Sequence, residues 1–219
     1  DTVEKMVLET LHPAGGKAPI RNYGPAEAPV SASPRQEETM EVSAPLFYIG
    51  WKQPLSEADP LEEQLTGELA CELLFGSSSP LYARLYADGL IDHDFGYGFE
   101  TYPGCRFLLA GGESRDPDAV AAAILAQRDL IAAEGLDEAL FRRLKKAAFG
   151  SRLQNLNSME NTCVELADAY FQDFSYLEFP KAYARLDKSQ VEQFIIHAFA
   201  PERSAISIVR PNRKGAVEI

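Results

Sequence analysis

The chain has 219 residues, with 21 Lys and Arg against 33 Asp and Glu, and so a formal charge of −12. Its 46% hydrophobic and 25% charged residues are the balance of a globular protein long enough to bury a full core without staples. The acidity argues against a nucleic-acid groove or an anionic membrane surface as main partner, since both need clustered Lys and Arg, and no apolar run reaches the roughly 20 residues of a membrane span.

Residues Thr2 to Leu11 read as a short helix, with Val3, Val7, Leu8 and Leu11 on one face and Asp1 or Thr2 as its N-cap. From His12 to Arg35 the pattern stops. Pro13, Pro19, Pro25, Pro29 and Pro34 remove backbone donors and block both helix and central strand, which predicts a linker or an arm lying across a surface. Folded structure is expected from about Glu37. Thr39 to Ser43 alternates like a strand, and Leu46 to Trp51 is dense enough in apolar and aromatic residues for a buried one. Pro60 then opens a long amphipathic helix carrying Leu61, Leu65, Leu69, Leu73 and Leu74 at three- and four-residue steps. Gly76 to Pro80 ends it and caps a helix from Leu81 to Asp88, which Gly89 stops.

Asp94 to Tyr102 and Cys105 to Gly111 form an expected antiparallel hairpin around Tyr102-Pro103-Gly104, with Phe95, Tyr97, Phe99 and Thr101 on one side of its first strand. Asp116 caps a helix from Pro117 to Ala133, and a further helix begins near Leu136. Glu160 to Phe174 and Lys188 to Ala200 are two more amphipathic helices, and Ser204 to Arg210 closes the chain with a strand. Strands and helices grouped around a central hairpin predict an α+β fold, a largely antiparallel sheet with helices packed on one face. No GxGxxG or GxxxxGK[ST] points to a nucleotide fold.

The chemistry-bearing residues are sparse. Cys71, Cys105 and Cys163 have no CxxC spacing, which fits a reducing compartment and a cytoplasmic location. His12, His93 and His197 are far apart, so no zinc-binding histidine pair exists and no metal ligand is assigned. Asp92-His93-Asp94 places carboxylates beside an imidazole, but extended alternation would put His93 on the opposite face and spoil a chelate. His197 reads as a core or interface histidine. Ser77-Ser78-Ser79 lacks the GxSxG of a nucleophile elbow and suits a helix cap. The basic run Arg142-Arg143-Leu144-Lys145-Lys146 could hold an acidic partner, but a solvated helix face is the preferred reading.

Ser79-Pro80-Leu81-Tyr82, Leu85-Tyr86 and Gly89-Leu90-Ile91, followed by the hairpin and by Pro201 to Val209, resemble the second half of an insulinase/pitrilysin-family zinc peptidase, the family of the mitochondrial processing peptidase. The order and spacing of elements match over nearly all of Glu37 to Pro211. The resemblance implies a protein of two similar halves closing around a peptide, with zinc bound by HxxEH in the first half. This chain would be the second, non-metal half, inactive alone, and no cofactor is expected in it. It also divides the chain into a tail helix of a preceding domain (1–11), a linker (12–36), the non-metal domain (37–211) and a tail (212–219). With no initiator Met, the chain is expected to be a piece of a longer protein.

Active members resemble SRLFxxLRExxGLAY in this region. Here Tyr86 falls on the Arg position and Asp92 on or near the Tyr position, so no catalytic residue carries over. Tyr86, His93 and Tyr97 stand as candidate substrate contacts. The implied partners are the N-terminal half or a paired homologous subunit, and a peptide that adds a strand to a sheet edge near the hairpin. The alternative is a non-enzymatic interaction or structural subunit that retained the fold.

Overall fold

The computed structural model describes residues 2–11, 20, 22, 24, 28, 30–54, 58–102 and 104–212. Asp1 as a cap, His12, four of the five arm prolines, Pro103 and the tail after Asn212 lie outside them. Helix α1 (Thr2–Thr10) buries none of its residues. Strands β1 (Arg35–Met40), β2 (Leu46–Gln53), β3 (Gly96–Tyr102), β4 (Cys105–Glu113) and β5 (Ser204–Pro211) make one sheet in the order β1-β5-β2-β4-β3. Every pairing is antiparallel except β1 with β5. The fold is therefore α+β, as expected.

The first strand lies earlier than its alternation suggests, at Arg35–Met40 instead of Thr39 to Ser43. Charge decides this. Parallel pairing with β5 sets Glu37 opposite Ile208, and Glu37 and Asp118 then hold Arg35 and Arg210 across the sheet edge.

Helix α2 (Pro60–Phe75) is the spine of the helix layer. Asp59 accepts the Glu62 N–H at 3.0 Å, Pro60 sits in the first turn, and Glu62 and Glu63 face the positive end of the dipole. Leu61, Leu65, Leu69, Leu73 and Leu74 are buried as their spacing requires, but so are Gly67, Ala70 and Cys71 on the remaining sides. The helix is buried nearly all round because the sheet covers one side and α5 (Glu138–Asn155), α7 (Phe179–Arg185) and α8 (Lys188–Ala198) cover the others. Gly67 is the point of closest approach: a Cβ there would sit 2.3 Å from Phe99 Cδ1 of β3.

Phe47, Ile49 and Trp51 of β2 meet this layer, with Trp51 edge-on to Phe199 at 4.9 Å and 6.4 Å from Phe75. Helices α3 (Pro80–Ala87), α4 (Pro117–Glu134) and α6 (Met159–Phe171) complete it. Ser79 caps α3, accepting the Tyr82 N–H at 3.1 Å and donating to the Leu74 carbonyl, so the serine loop is a cap as read. Helix α7 has no counterpart in the sequence reading. Its seven residues are too few for a periodic signal, and Pro180 in its first turn was the available clue.

Candidate functional site

The pairing register sorts the sheet into two faces. Phe47, Ile49 and Trp51 share one with Leu108, Ala110 and Ile208, beneath the helices. The other carries Tyr48, Gly50 and Lys52, with Phe107 and Leu109 of β4 and Ala205, Ser207 and Val209 of β5. These residues are half-buried or exposed, and Tyr48 keeps 55% of its surface in contact with solvent. An apolar sheet face of this extent, left open in a chain of this charge, is the feature that a buried core does not require.

The face is kept flat by glycine. Gly50, Gly96, Gly98 and Gly111 all lie on it, and a Cβ at Gly111 would come within 2.2 Å of the Phe47 carbonyl and 2.6 Å of the Tyr48 ring. Beside β2 and β5 a recess of about 590 Å³ is lined by Gly50, Lys52, Phe107 and Ala205, with Val30 and Ala32 of the arm on its rim. Among the described residues Lys52 and Arg203 are the charged ones lining it, and no carboxylate does.

At one end of the sheet β3 has a neighbour on one side only. Its sequence, Gly-Tyr-Gly-Phe-Glu-Thr-Tyr, holds a single charge, Glu100, so little blocks the addition of another strand.

The three candidate contact residues separate. Tyr86 projects from α3 into solvent, 54% exposed, and stacks on Tyr82 at 5.9 Å. Tyr97 turns toward the helices, as its alternation with Phe99 requires: its hydroxyl donates to Glu72 Oε2 at 2.7 Å and its ring packs 5.8 Å from Phe75. Burial, then the Glu72 carboxylate, push its phenol above the usual tyrosine range. Among the described residues no hydrogen bond or ring contact joins Tyr86, His93 and Tyr97 directly, although Tyr82 lies close enough to act on Tyr97.

His93 requires a correction. The Asp92-His93-Asp94 segment is a turn and not extended: Asp92 Oδ1 accepts the Asp94 N–H at 2.9 Å, and the ligand atoms of all three residues lie within 4.8 Å of one another. The local hydrogen bond wins over strand alternation, as is common for Asp. The cluster still does not suit a catalytic zinc, which takes several nitrogen or sulfur ligands oriented by a second layer of hydrogen bonds. It offers one imidazole, whose side chain is 82% exposed, and Asp92 is already engaged in the turn. His197, expected in the core or an interface, is exposed on the last turn of α8.

One buried ionic group was missed. Arg152 of α5 donates to both oxygens of Glu68, at 2.8 and 2.6 Å, and lies 3.9 Å from Glu165 and 5.5 Å from the Tyr176 ring centroid. Burial raises the Glu165 carboxyl against the pull of Arg152. With two carboxylates around it, the guanidinium has no spare charge for a substrate oxyanion, and the cluster ties α2, α5 and α6 together. Glu68, set between the buried Leu65 and Leu69 of α2, was the trace it left in the sequence.

The profile of the family described as the peptidase M16 inactive domain matches residues 1–148. The chain is 29% identical over 183 residues to a Bacillus subtilis (strain 168) protein named uncharacterized zinc protease YmfH, an alignment covering 80% of this chain and 42% of that protein. Its fold is similar to that of an Alicyclobacillus acidocaldarius protein described as an M16-like peptidase (TM-score 0.80, 21% identity, 86% of this chain and 46% of that one). It is also similar to the inactive peptidase domain of a Bordetella parapertussis zinc protease (TM-score 0.65, 14% identity, 81% and 97%). The chain thus spans less than half the length of the first two relatives and corresponds to nearly all of the isolated inactive domain.

Proposed function

The chain belongs to the peptidase M16 inactive-domain family, the non-metal half of insulinase-type proteases, and from that premise we propose that its open sheet face and β3 edge form the wall and peptide-contact surface of a zinc protease's chamber. One observation carries the reading: the apolar face bearing Tyr48, Phe107, Leu109 and Val209 is turned away from the helices and only partly covered, with Val30, Ser31 and Ala32 of the arm beside it. A peptide laid on this face covers apolar surface, and pairing with β3 adds main-chain hydrogen bonds. Zinc and the water it activates belong to the catalytic half, which is the partner, supplied in the same protein or by a paired subunit. The chain alone supplies shape and contacts and performs no hydrolysis. Its three free cysteines support a cytoplasmic location.

The test uses the complete protein holding this chain with its catalytic half. Tyr48→Glu combined with Leu109→Glu places two carboxylates beneath a bound peptide. Cleavage of an unstructured peptide should fall by about tenfold or more, since unpaired charge in a desolvated contact costs over about 1.4 kcal/mol. The unfolding midpoint should stay near the parent value, because both residues lie outside the core. Unchanged cleavage, or hydrolysis by this chain alone, would sink the reading. A complete protein that binds peptide through this face and cleaves none would instead support the interaction-subunit alternative.

A further inference from the structure

A second recess lies in the helix layer, where α5 and α7 pack together on α2. Arg142, Lys145 and Lys146 rim a cavity of about 370 Å³ whose floor is Phe149 with Pro180, Tyr183 and Ala184. The floor is rigid: Phe149 stands edge-on to Tyr183 at 5.6 Å and packs against Phe179 at 5.8 Å. Among the described residues no carboxylate lines it. Lys145 Nζ is held on the Leu186 carbonyl and sits 5.9 Å from the Phe141 ring centroid, so its charge is fixed at the rim. Arg142 pairs with Glu138 at 3.2 Å, with the two side chains 67% and 57% exposed, a contact that a competing carboxylate can replace at little cost. Arg143 and Lys146 are exposed and make no ion pair among the described residues.

A solvated basic helix face needs no such floor. Three cations, Arg142, Lys145 and Lys146, line an apolar hollow built with a second helix, in a chain of charge −12. We propose that this recess docks an acidic segment of a partner protein, one in which Asp or Glu residues flank a single aromatic or leucine side chain. The apolar side chain fills the hollow over Phe149 and Ala184, while the carboxylates meet Arg142 and Lys146 at its rim. Charge complementarity selects the partner and the hollow sets its register. Nucleic acid fits less well, because the chain's overall negative charge repels a polyanion. The site lies on helices, apart from the sheet face, and does not depend on the chamber reading.

The probe is a fluorescent peptide with one Phe between Asp-Glu runs, titrated by anisotropy into the 219-residue chain. Binding that weakens with added salt is expected. Arg142→Glu with Lys146→Glu should reduce affinity by about tenfold or more, since attraction becomes repulsion at two surface positions. Ala184→Trp fills the hollow with the charges intact and should weaken binding similarly. Both changes are at exposed positions, and circular dichroism checks the fold. Absence of binding overturns the proposal, as does equal affinity in the double variant. Equally tight binding of a uridine oligonucleotide, lost in the same variant, also overturns it by showing a generic anion surface.

Discussion

The two edges of the sheet are held by different forces. At β1 every residue is exposed, and the strand is kept in place by Arg35, Glu37, Arg210 and Asp118. At β3 the edge is nearly uncharged and is anchored from the core side, by Phe99 against Gly67 and Tyr97 on Glu72. Exposed ion pairs contribute little free energy but advertise charge, which discourages another strand from pairing. Buried aromatic packing contributes far more and leaves the outer edge of the strand chemically quiet. An edge meant to stay closed and an edge open to a peptide would differ in this way, which is why the peptide-contact reading belongs to β3.

Removing the anchor of β3 should have the largest effect. Phe99→Ala should lower stability by about 3–5 kcal/mol, read as a shifted urea midpoint with unchanged m-value. Gly67→Ala in the parent chain should cost about 1–3 kcal/mol through overpacking on that ring. In the Phe99→Ala background the same glycine change should become neutral or stabilising, by up to about 1 kcal/mol from helix propensity. A glycine effect that ignores the background would break the account of β3.

A smaller effect is expected at Tyr97. Tyr97→Phe should cost about 0.5–1.5 kcal/mol, the usual net worth of one hydrogen bond. Because the folded phenol titrates above its ordinary 10.0, its contribution is complete below that pH and is lost as pH rises through the higher folded value. The Phe variant should therefore lose less stability than the parent on the alkaline side.

The β1 edge should give the smallest effect and the opposite pH sign. Hydrogen bonding to Arg210 and Arg35 lowers the Glu37 carboxyl, and hydrogen bonding to Arg35 lowers that of Asp118. Their contribution is present above the ordinary values of 4.5 and 3.8 and disappears as pH falls through the depressed ones. Amide protection factors along β1, exchange rates taken relative to the intrinsic rate at each pH, should fall in acid while the global midpoint barely moves. A matching fall along β3 would erase the distinction between the edges.

Much of the fold was legible because its signals are local. The leucine spacing of α2, the Pro60 and Pro117 starts, the Ser79 and Asp116 caps and the hairpin around Gly104 each depend on a few adjacent residues. Two readings failed where a distant or competing contact decided: β1 moved to the position its charge clamp prefers, and the Asp92 turn displaced an expected extension. The Arg152 cluster and α7 escaped notice because a single charge in an apolar stripe, or seven residues of helix, gives no periodicity to detect.

Local pattern and propensity, written in the chain itself, thus determined an acidic α+β protein with one apolar sheet, one central helix and no histidine pair to bind zinc. The tertiary structure alone decided which apolar residues remain uncovered, which edge is guarded by charge, and where basic residues of α5 meet a hollow made by α7. Those outcomes depend on register and on packing between elements far apart in the chain, and such contacts leave no mark on the spacing of neighbouring residues.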